Sequence, residues 1–220
     1  MNARRLAVTV LCSAAAMATL SGCKSEGEIV VNSGVGITAV RTRCPAVGIP
    51  DYTGDITLFR GAAKTADNID LVASMTDVRP QCNDDATSQK VASQVSFKVR
   101  GLRTDTKGAR QVTLPYFVSV LQGGNSVVSK RVGQVTLNFA DGEARAEAVA
   151  TGNAYIDRAA ATLPDDVRQR ITAKRQAGDA DAALDPLADP TVKAAVARAT
   201  FEMLIGFQLT DDQIAYNAKR

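Results

Sequence analysis

The 220-residue chain contains no histidine and no tryptophan. Without an imidazole, histidine-based catalytic triads, zinc sites with imidazole ligands and histidine general acid–base chemistry are all excluded. Other signatures are missing as well. No Gly-x-Ser-x-Gly elbow occurs, and the one Ser-x-x-Lys, Ser21 to Lys24, falls within the stretch around Cys23, so the rest of the chain carries neither of the usual serine acylation motifs. Gly123-Gly124-Asn125 has no Lys-Ser/Thr after it and reads as a hairpin turn rather than a phosphate cradle. Asp84-Asp85 and Asp211-Asp212 lack the spaced acids of a calcium loop; they read as a polar turn and a helix start. Glu143 and Glu147 read as surface charge on a strand rather than an acid–base pair. No Lys/Arg block suggests nucleic acid. The expectation is a protein that is not an enzyme, with no catalytic residues, metal site or cofactor.

What is present begins with Arg4 and Arg5, an apolar run from Leu6 to Leu20, and then Leu20-Ser21-Gly22-Cys23. A positive n-region, a short apolar h-region and small residues before a cysteine resemble the signal peptide of a bacterial lipoprotein. The run is too short to span a bilayer as a helix. This resemblance implies removal of residues 1–22 and lipidation of Cys23 with a diacylglycerol and an acyl chain. Each buried methylene contributes about 0.8 kcal/mol, so several chains make a lasting anchor. Lys24 follows in place of the aspartate that retains many lipoproteins at the inner membrane, which implies the outer membrane, facing the periplasm. Cleavage leaves 198 residues, enough for one domain. It also removes two of the 26 basic residues, so 24 face 23 acids and the net charge is +1.

Four cysteines then reduce to a pair. Cys12 leaves with the signal and Cys23 is lipidated, while Cys44 and Cys82 remain in an oxidising envelope and are expected to form one disulfide. A thiolate nucleophile or metal pair is the weaker reading, since there is no histidine and no Cys-x-x-Cys spacing. Closing that loop stabilises the fold by roughly 4 kcal/mol in the chain-entropy model.

Residues 23–43 read as a lipid-anchored tether. Arg43-Cys44-Pro45-Ala46-Val47-Gly48-Ile49-Pro50 is pinned by the cysteine and two prolines into an extended path, either a first edge strand or a docking peptide for a partner. Beyond it the period is two. Strands are predicted at Asp55–Arg60, Ile69–Val78, Val91–Leu102 and Val112–Gln122, then from Val127, at Val135–Phe139 and, more softly because of its alanines, at Arg145–Thr151. Cys82 falls in a polar turn with Asn83-Asp84-Asp85. Together, residues 44–155 predict an antiparallel β-sandwich of immunoglobulin or fibronectin III type. Residues 156–199 form a helical insertion: one helix from Leu163-Pro164-Asp165-Asp166 to a stop at Gly178, another from Asp189-Pro190 to Ala199. Residues 200–220 form a closing strand, Phe201–Leu209, and a helical turn capped by Thr210 with Gln213.

Arg43-Cys44-Pro45 with the later Cys82, Leu114-Pro115-Tyr116-Phe117-Val118-Ser119-Val120, and Leu204–Thr210 through Ala215-Tyr216-Asn217 resemble a group of alphaproteobacterial outer-membrane lipoproteins. Within it the resemblance points to accessory lipoproteins of the β-barrel assembly machinery, the BAM complex. It implies docking on other assembly subunits and help with insertion of barrel proteins into the outer membrane. By similarity to an extended docking region of another lipoprotein of that machinery, Arg43, Pro45, Ile49 and Pro50 are the partner-binding candidates; a disulfide-bearing edge strand is the alternative. A different class is a lipid-anchored periplasmic binding module for a lipid, glycan or exported protein, which predicts a concave apolar pocket between the sheets or under the C-terminal helices.

Overall fold

Alternation of apolar and polar residues, repeated from residue 55 to residue 157, leaves one apolar face per strand, and two such faces must cover each other. The computed structural model describes residues 42–173 and 184–219. The expected signal peptide, Cys23, nearly all of the expected tether and the helix stop expected at Gly178 lie outside the described residues. The protein is mainly β, with two four-stranded sheets. In chain order the elements are β1 (Ala46–Gly48), β2 (Asp55–Phe59), β3 (Ile69–Asn83), β4 (Lys90–Arg103), β5 (Arg110–Gln122), β6 (Ser126–Phe139) and β7 (Arg145–Asp157). Helices α1 (Asp165–Thr172) and α2 (Pro190–Arg198) come next, then β8 (Phe201–Phe207) and α3 (Asp211–Asn217).

One sheet has the order β2-β3-β4-β7 and the other β1-β8-β5-β6. Every pairing is antiparallel except β1 with β8. The chain changes sheets between β4 and β5 and returns between β6 and β7. Their inner faces form one core. Leu71, Phe97, Leu114, Leu137, Met203 and Ile205 are all essentially without solvent contact. At roughly 1.5–3 kcal/mol per fully buried side chain of this kind, the inner faces hold the sheets together.

Small residues mark where the two sheets converge. The inward positions of β7 from Ala146 to Ala154 are Ala146, Ala148, Ala150, Gly152 and Ala154, and only the one after them, Ile156, is large. A Cβ on Gly152 would meet Val118 Cγ2 at 2.5 Å, and one on Gly133 of β6 would meet the Tyr116 ring at 2.5 Å. That space lets Tyr116 lie edge-on to Phe97 (5.1 Å, 79°) and donate its hydroxyl to Thr151 O at 2.8 Å.

Several sequence expectations need correction. β3 runs to Asn83, so Cys82 and Asn83 are strand residues rather than part of the polar turn. A bulge between Thr76 and Arg79, with Asp77 at φ 52°, carries the strand past its expected end. Pro80 fits because β2 pairs only as far as Ser74, so this part of β3 has a neighbour on one side only. Val127 onward and Val135–Phe139 are one continuous strand, β6; Gly133 is a close-packing site and not a break. β7 extends to Asp157, beyond Thr151. The first helix, α1, ends at Thr172, with Ala173 as its C-cap, short of the expected stop. β8 is a strand, and its residues Phe201, Met203, Ile205 and Phe207 all face the core, as their period of two requires.

The helices are fixed at their ends. Val167 and Ile171 of α1 pack with Val192 and Ala195 of α2 in a small separate cluster. Asp189 caps α2 by accepting from Thr191 N at 2.8 Å and pairs with Arg170; these bonds hold its carboxyl well below the usual range. Thr210 and Gln213 form a full capping box on α3. Asn217 of α3 donates to the carbonyls of Tyr52 and Asp55, both at 2.8 Å, and Tyr216 meets Phe59 edge-on at 5.0 Å.

Candidate functional site

The disulfide is formed between Cys44 and Cys82, with Cα atoms 6.0 Å apart. It ties the start of β1 in one sheet to the end of β3 in the other. Beside it lies a closed set of polar contacts. Arg43 donates from Nε to Thr162 Oγ1 at 2.9 Å and pairs with Asp84 Oδ2 at 3.3 Å. Arg158 holds the other Asp84 oxygen at 2.5 Å and donates to the carbonyls of Ser88 and Asp85. Thr162 Oγ1 donates to Arg158 O at 2.7 Å. Two guanidiniums thus share one carboxylate, and the Asp84-Asp85 pair is a structural junction. Asp85 itself accepts from the backbone and hydroxyl of Thr87, which lowers its pKa.

From this junction the pinned segment becomes β1, an edge strand. Ala46, Val47 and Gly48 pair in parallel with Glu202, Met203 and Leu204. Of the four residues singled out in the sequence, Arg43 is committed to Asp84 and Thr162, and Pro45 is buried. Ile49 packs against the core, and the Pro50 carbonyl accepts from Thr53 N and Oγ1 at 3.2 and 2.8 Å. Arg43, Pro45 and Ile49 thus have side-chain contacts or burial within the fold, and Pro50 has its carbonyl bonded there. Gly206 of β8 lies tightly against this segment: a Cβ there would come within 2.3 Å of Thr53 Oγ1. The outward feature of the segment is the short edge of β1, which has only β8 beside it in its sheet.

At the opposite edge of the same sheet, β6 behaves differently. Val127, Val128 and Val132 are 61%, 49% and 61% exposed, and every residue from Ser126 to Val132 is open to solvent. A register shift between Val120 and Leu121 leaves Val128 without a counterpart on β5. Ser129 and Arg131 lie opposite the inward residues Val120 and Val118, yet they are exposed, so this half of β6 extends past the cover of the other sheet. Lys130 Nζ sits over the Phe117 ring at 5.2 Å. No acid lies on β6 between Ser126 and Phe139. Periodicity gives no sign of this stretch, because Val127-Val128 breaks the period of two.

Among the described residues, core side chains fill the space between the sheets. Where the expected apolar pocket could instead lie under the C-terminal helices, a hollow of about 750 Å³ adjoins the start of α1, lined by Arg158, Thr162, Leu163, Pro164 and Asp165. Other hollows lie on the outer faces. One of about 750 Å³ runs over Val72, Leu102 and Ala146 beside Arg100 and Glu147. Glu147 accepts from Arg100 at 2.8 Å and pairs with Lys98 at 2.9 Å, which lowers its pKa and shows it to be an ion-paired surface group rather than half of an acid–base dyad. Among the described residues, no helix is long and apolar enough to cross a membrane. The chain matches no protein-family model and no curated protein.

Proposed function

We propose that the chain is a lipid-anchored outer-membrane protein that acts by contact and without catalysis, assisting assembly and insertion of β-barrel proteins as the BamF type of accessory lipoprotein does. The open half of β6 carries this reading. An edge with unpaired backbone groups and three exposed valines is a ready template for strand addition. The occupant that fits is an extended segment of a barrel precursor with apolar residues toward the valines and an acid on each face, one to meet Lys130 and one to meet Arg131. Leu20-Ser21-Gly22-Cys23 supports the anchor and Lys24 the outer membrane, with the domain on the periplasmic side beside other assembly subunits. The scaffold reading is an immunoglobulin- or fibronectin-like sandwich, supported by its four-on-four layering.

The test is purification of the C-terminally tagged full chain from its native envelope in mild detergent, with the co-purifying proteins identified by mass spectrometry. The expected result is stoichiometric recovery of the barrel-assembly core, reduced severalfold by Val127→Lys with Val132→Lys at unchanged thermal stability. Recovery of the chain alone, in comparable yield, overturns the proposal.

A further inference from the structure

The outer face of the β2-β3-β4-β7 sheet divides into two regions of different chemistry. Toward one end, Lys98 and Arg100 of β4 and Glu147 of β7 are joined as ion pairs, with Arg79 and Asp77 of β3 alongside. Between that region and the exposed pair of Lys90 with Asp157 at the far end of β4 and β7 lies an uncharged stretch. Gln81 of β3 is in register with Gln94 of β4, and Gln94 with Asn153 of β7, so three amides stand side by side across the sheet. Two residues further along, Asn83, Ala92 and Tyr155 form the next row. In-register partners share a face. Strand spacing therefore makes the amide row about 10 Å across, with the tyrosine row about 7 Å away.

Four properties set this patch apart from an ordinary solvated strand face. First, Gln81, Asn83, Gln94 and Asn153 are all exposed, and among the described residues none of their side chains is spent on a hydrogen bond within the protein. Second, Tyr155 is 61% exposed, and it offers an open ring face beside small Ala92. Third, the surface is concave: a hollow of about 380 Å³ is lined by Gln81, Asn83, Ala92, Gln94, Asn153 and Tyr155 together with Cys82 and Ser93. Fourth, asparagine is a poor strand former, yet Asn83 and Asn153 both occupy strand positions here. Local propensity does not account for them.

We propose that this face binds a neutral glycan chain. A sugar hydroxyl both donates and accepts, and a side-chain amide does the same, whereas a carboxylate only accepts and an ammonium only donates. The apolar face of a sugar ring packs on an aromatic ring, which Tyr155 supplies at the edge of the amide grid. The absence of charge within the patch excludes the anion and cation alternatives that the neighbouring ion-paired region would otherwise suggest. The patch lies on the other sheet from β6, and this inference does not depend on strand addition at that edge. The disulfide Cys44–Cys82 borders the hollow and fixes the end of β3 that carries Gln81 and Asn83. The glycan can come from a cell-wall strand or from the sugars of a glycolipid, which share this chemistry.

The experiment titrates the full chain, purified in a detergent without a sugar headgroup, with a neutral N-acetylglucosamine tetramer and with cellotetraose, monitored by calorimetry. At least one probe is expected to bind with a dissociation constant of about 1 mM or tighter. Tyr155→Ala and the pair Gln94→Ala with Asn153→Ala each weaken it about tenfold, equivalent to about 1.4 kcal/mol. Val127→Lys with Val132→Lys leaves it unchanged. Thermal melts of each variant separate lost binding from lost folding, since all five side chains are exposed. Co-sedimentation with insoluble cell-wall glycan and flotation with vesicles bearing a neutral glycolipid distinguish the two sources, and binding in either arm supports the proposal. No heat with either tetrasaccharide, or binding that survives both sets of substitutions, overturns it and leaves the reading of β6 untouched.

Discussion

Arg103 is the side chain whose removal should tell most about how this fold is held. It is 2% exposed at the end of β4, and among the described residues no carboxylate pairs with it. Its guanidinium instead donates to four carbonyls: Glu143 O at 2.8 Å, Gly108 O at 2.9 Å, Thr106 O at 2.9 Å and Ala140 O at 2.7 Å. It also stacks over Phe139, 5.2 Å from the ring centroid. These carbonyls belong to the two loops that join β4 to β5 and β6 to β7, where the chain changes sheets. Arg103→Met keeps most of the apolar stem and removes all four bonds. Charge-assisted bonds of roughly 1.5–3 kcal/mol each would sum to about 6–12 kcal/mol. Desolvation of the buried cation offsets several kcal/mol of that, and the exposed loops can rehydrate their carbonyls. The net loss expected is about 3–5 kcal/mol. For a domain of this size it lowers the melting temperature by about 6–20 °C. Urea unfolding read by circular dichroism measures it, and hydrogen exchange should show residues 104–109 and 140–144 losing protection first. Arg103→Lys should recover little, because one ammonium cannot span four separated acceptors. A Met variant within about 1 kcal/mol of the parent would refute the idea that the carbonyl cage stabilises the crossovers.

Replacing both cysteines, Cys44→Ser with Cys82→Ser, should lower unfolding free energy by about 4 kcal/mol for a separation of 38 residues. Reductant should produce the same shift in the parent chain; an unchanged denaturation midpoint in reductant would show that the bond does not restrain the unfolded state. Acid should weaken the fold partly through Asp70, whose pKa is depressed chiefly by hydrogen bonds from Arg110 at 2.8 and 2.6 Å. Because the unfolded carboxyl near 3.8 binds its proton more tightly than the folded one, this contribution is complete above that value. It is lost as pH falls from there through the lower folded pKa. Asp70→Asn should flatten that part of the stability profile in urea titrations from about pH 5 to about pH 2, and parallel profiles for the two proteins would contradict the assignment.

The strands were legible where one face alone decided their pattern. Val95, Phe97 and Val99 alternate with Ser96, Lys98 and Arg100, and the structure turns the first set inward and the second outward. The same parity, carried two residues on, puts Arg103 inside and Leu102 outside. Composition alone suggests the reverse, which hides the carbonyl cage from a sequence reading. β7 was soft for a tertiary reason: its alanines are poor strand formers chosen for size where the sheets converge. Register was the other missing quantity. Gln81, Gln94 and Asn153 are 13 and 59 residues apart in sequence, and only the pairing of β3 with β4 and β4 with β7 makes them one row. The pinned segment was readable as extended from Cys44, Pro45 and Pro50, but its commitment to Asp84, Thr162 and the core depends on side chains distant in sequence.

The two ends of the β1-β8-β5-β6 sheet differ in how much open backbone each offers to the proposed contact function. Both are edge strands, and an edge left open invites pairing with any extended chain. At β1 the edge is three residues long, adjoins buried Pro45 and is anchored through Cys44, so it offers little backbone for a partner. At β6 the strand is 14 residues long, and its exposed half lies beyond the cover of the second sheet. Lys130, Arg131 and the bulge at Val128 are the usual means of discouraging indiscriminate pairing. Three exposed valines work against that protection. An edge guarded by like charges but kept apolar is selective for strands carrying the opposite charge: Lys130 and Arg131 repel basic segments and accept acidic ones, while the valines supply the packing. On the proposed reading the two edges therefore differ in role: β1 is pinned by the disulfide and its polar junction, and β6 is the edge that strand addition would extend.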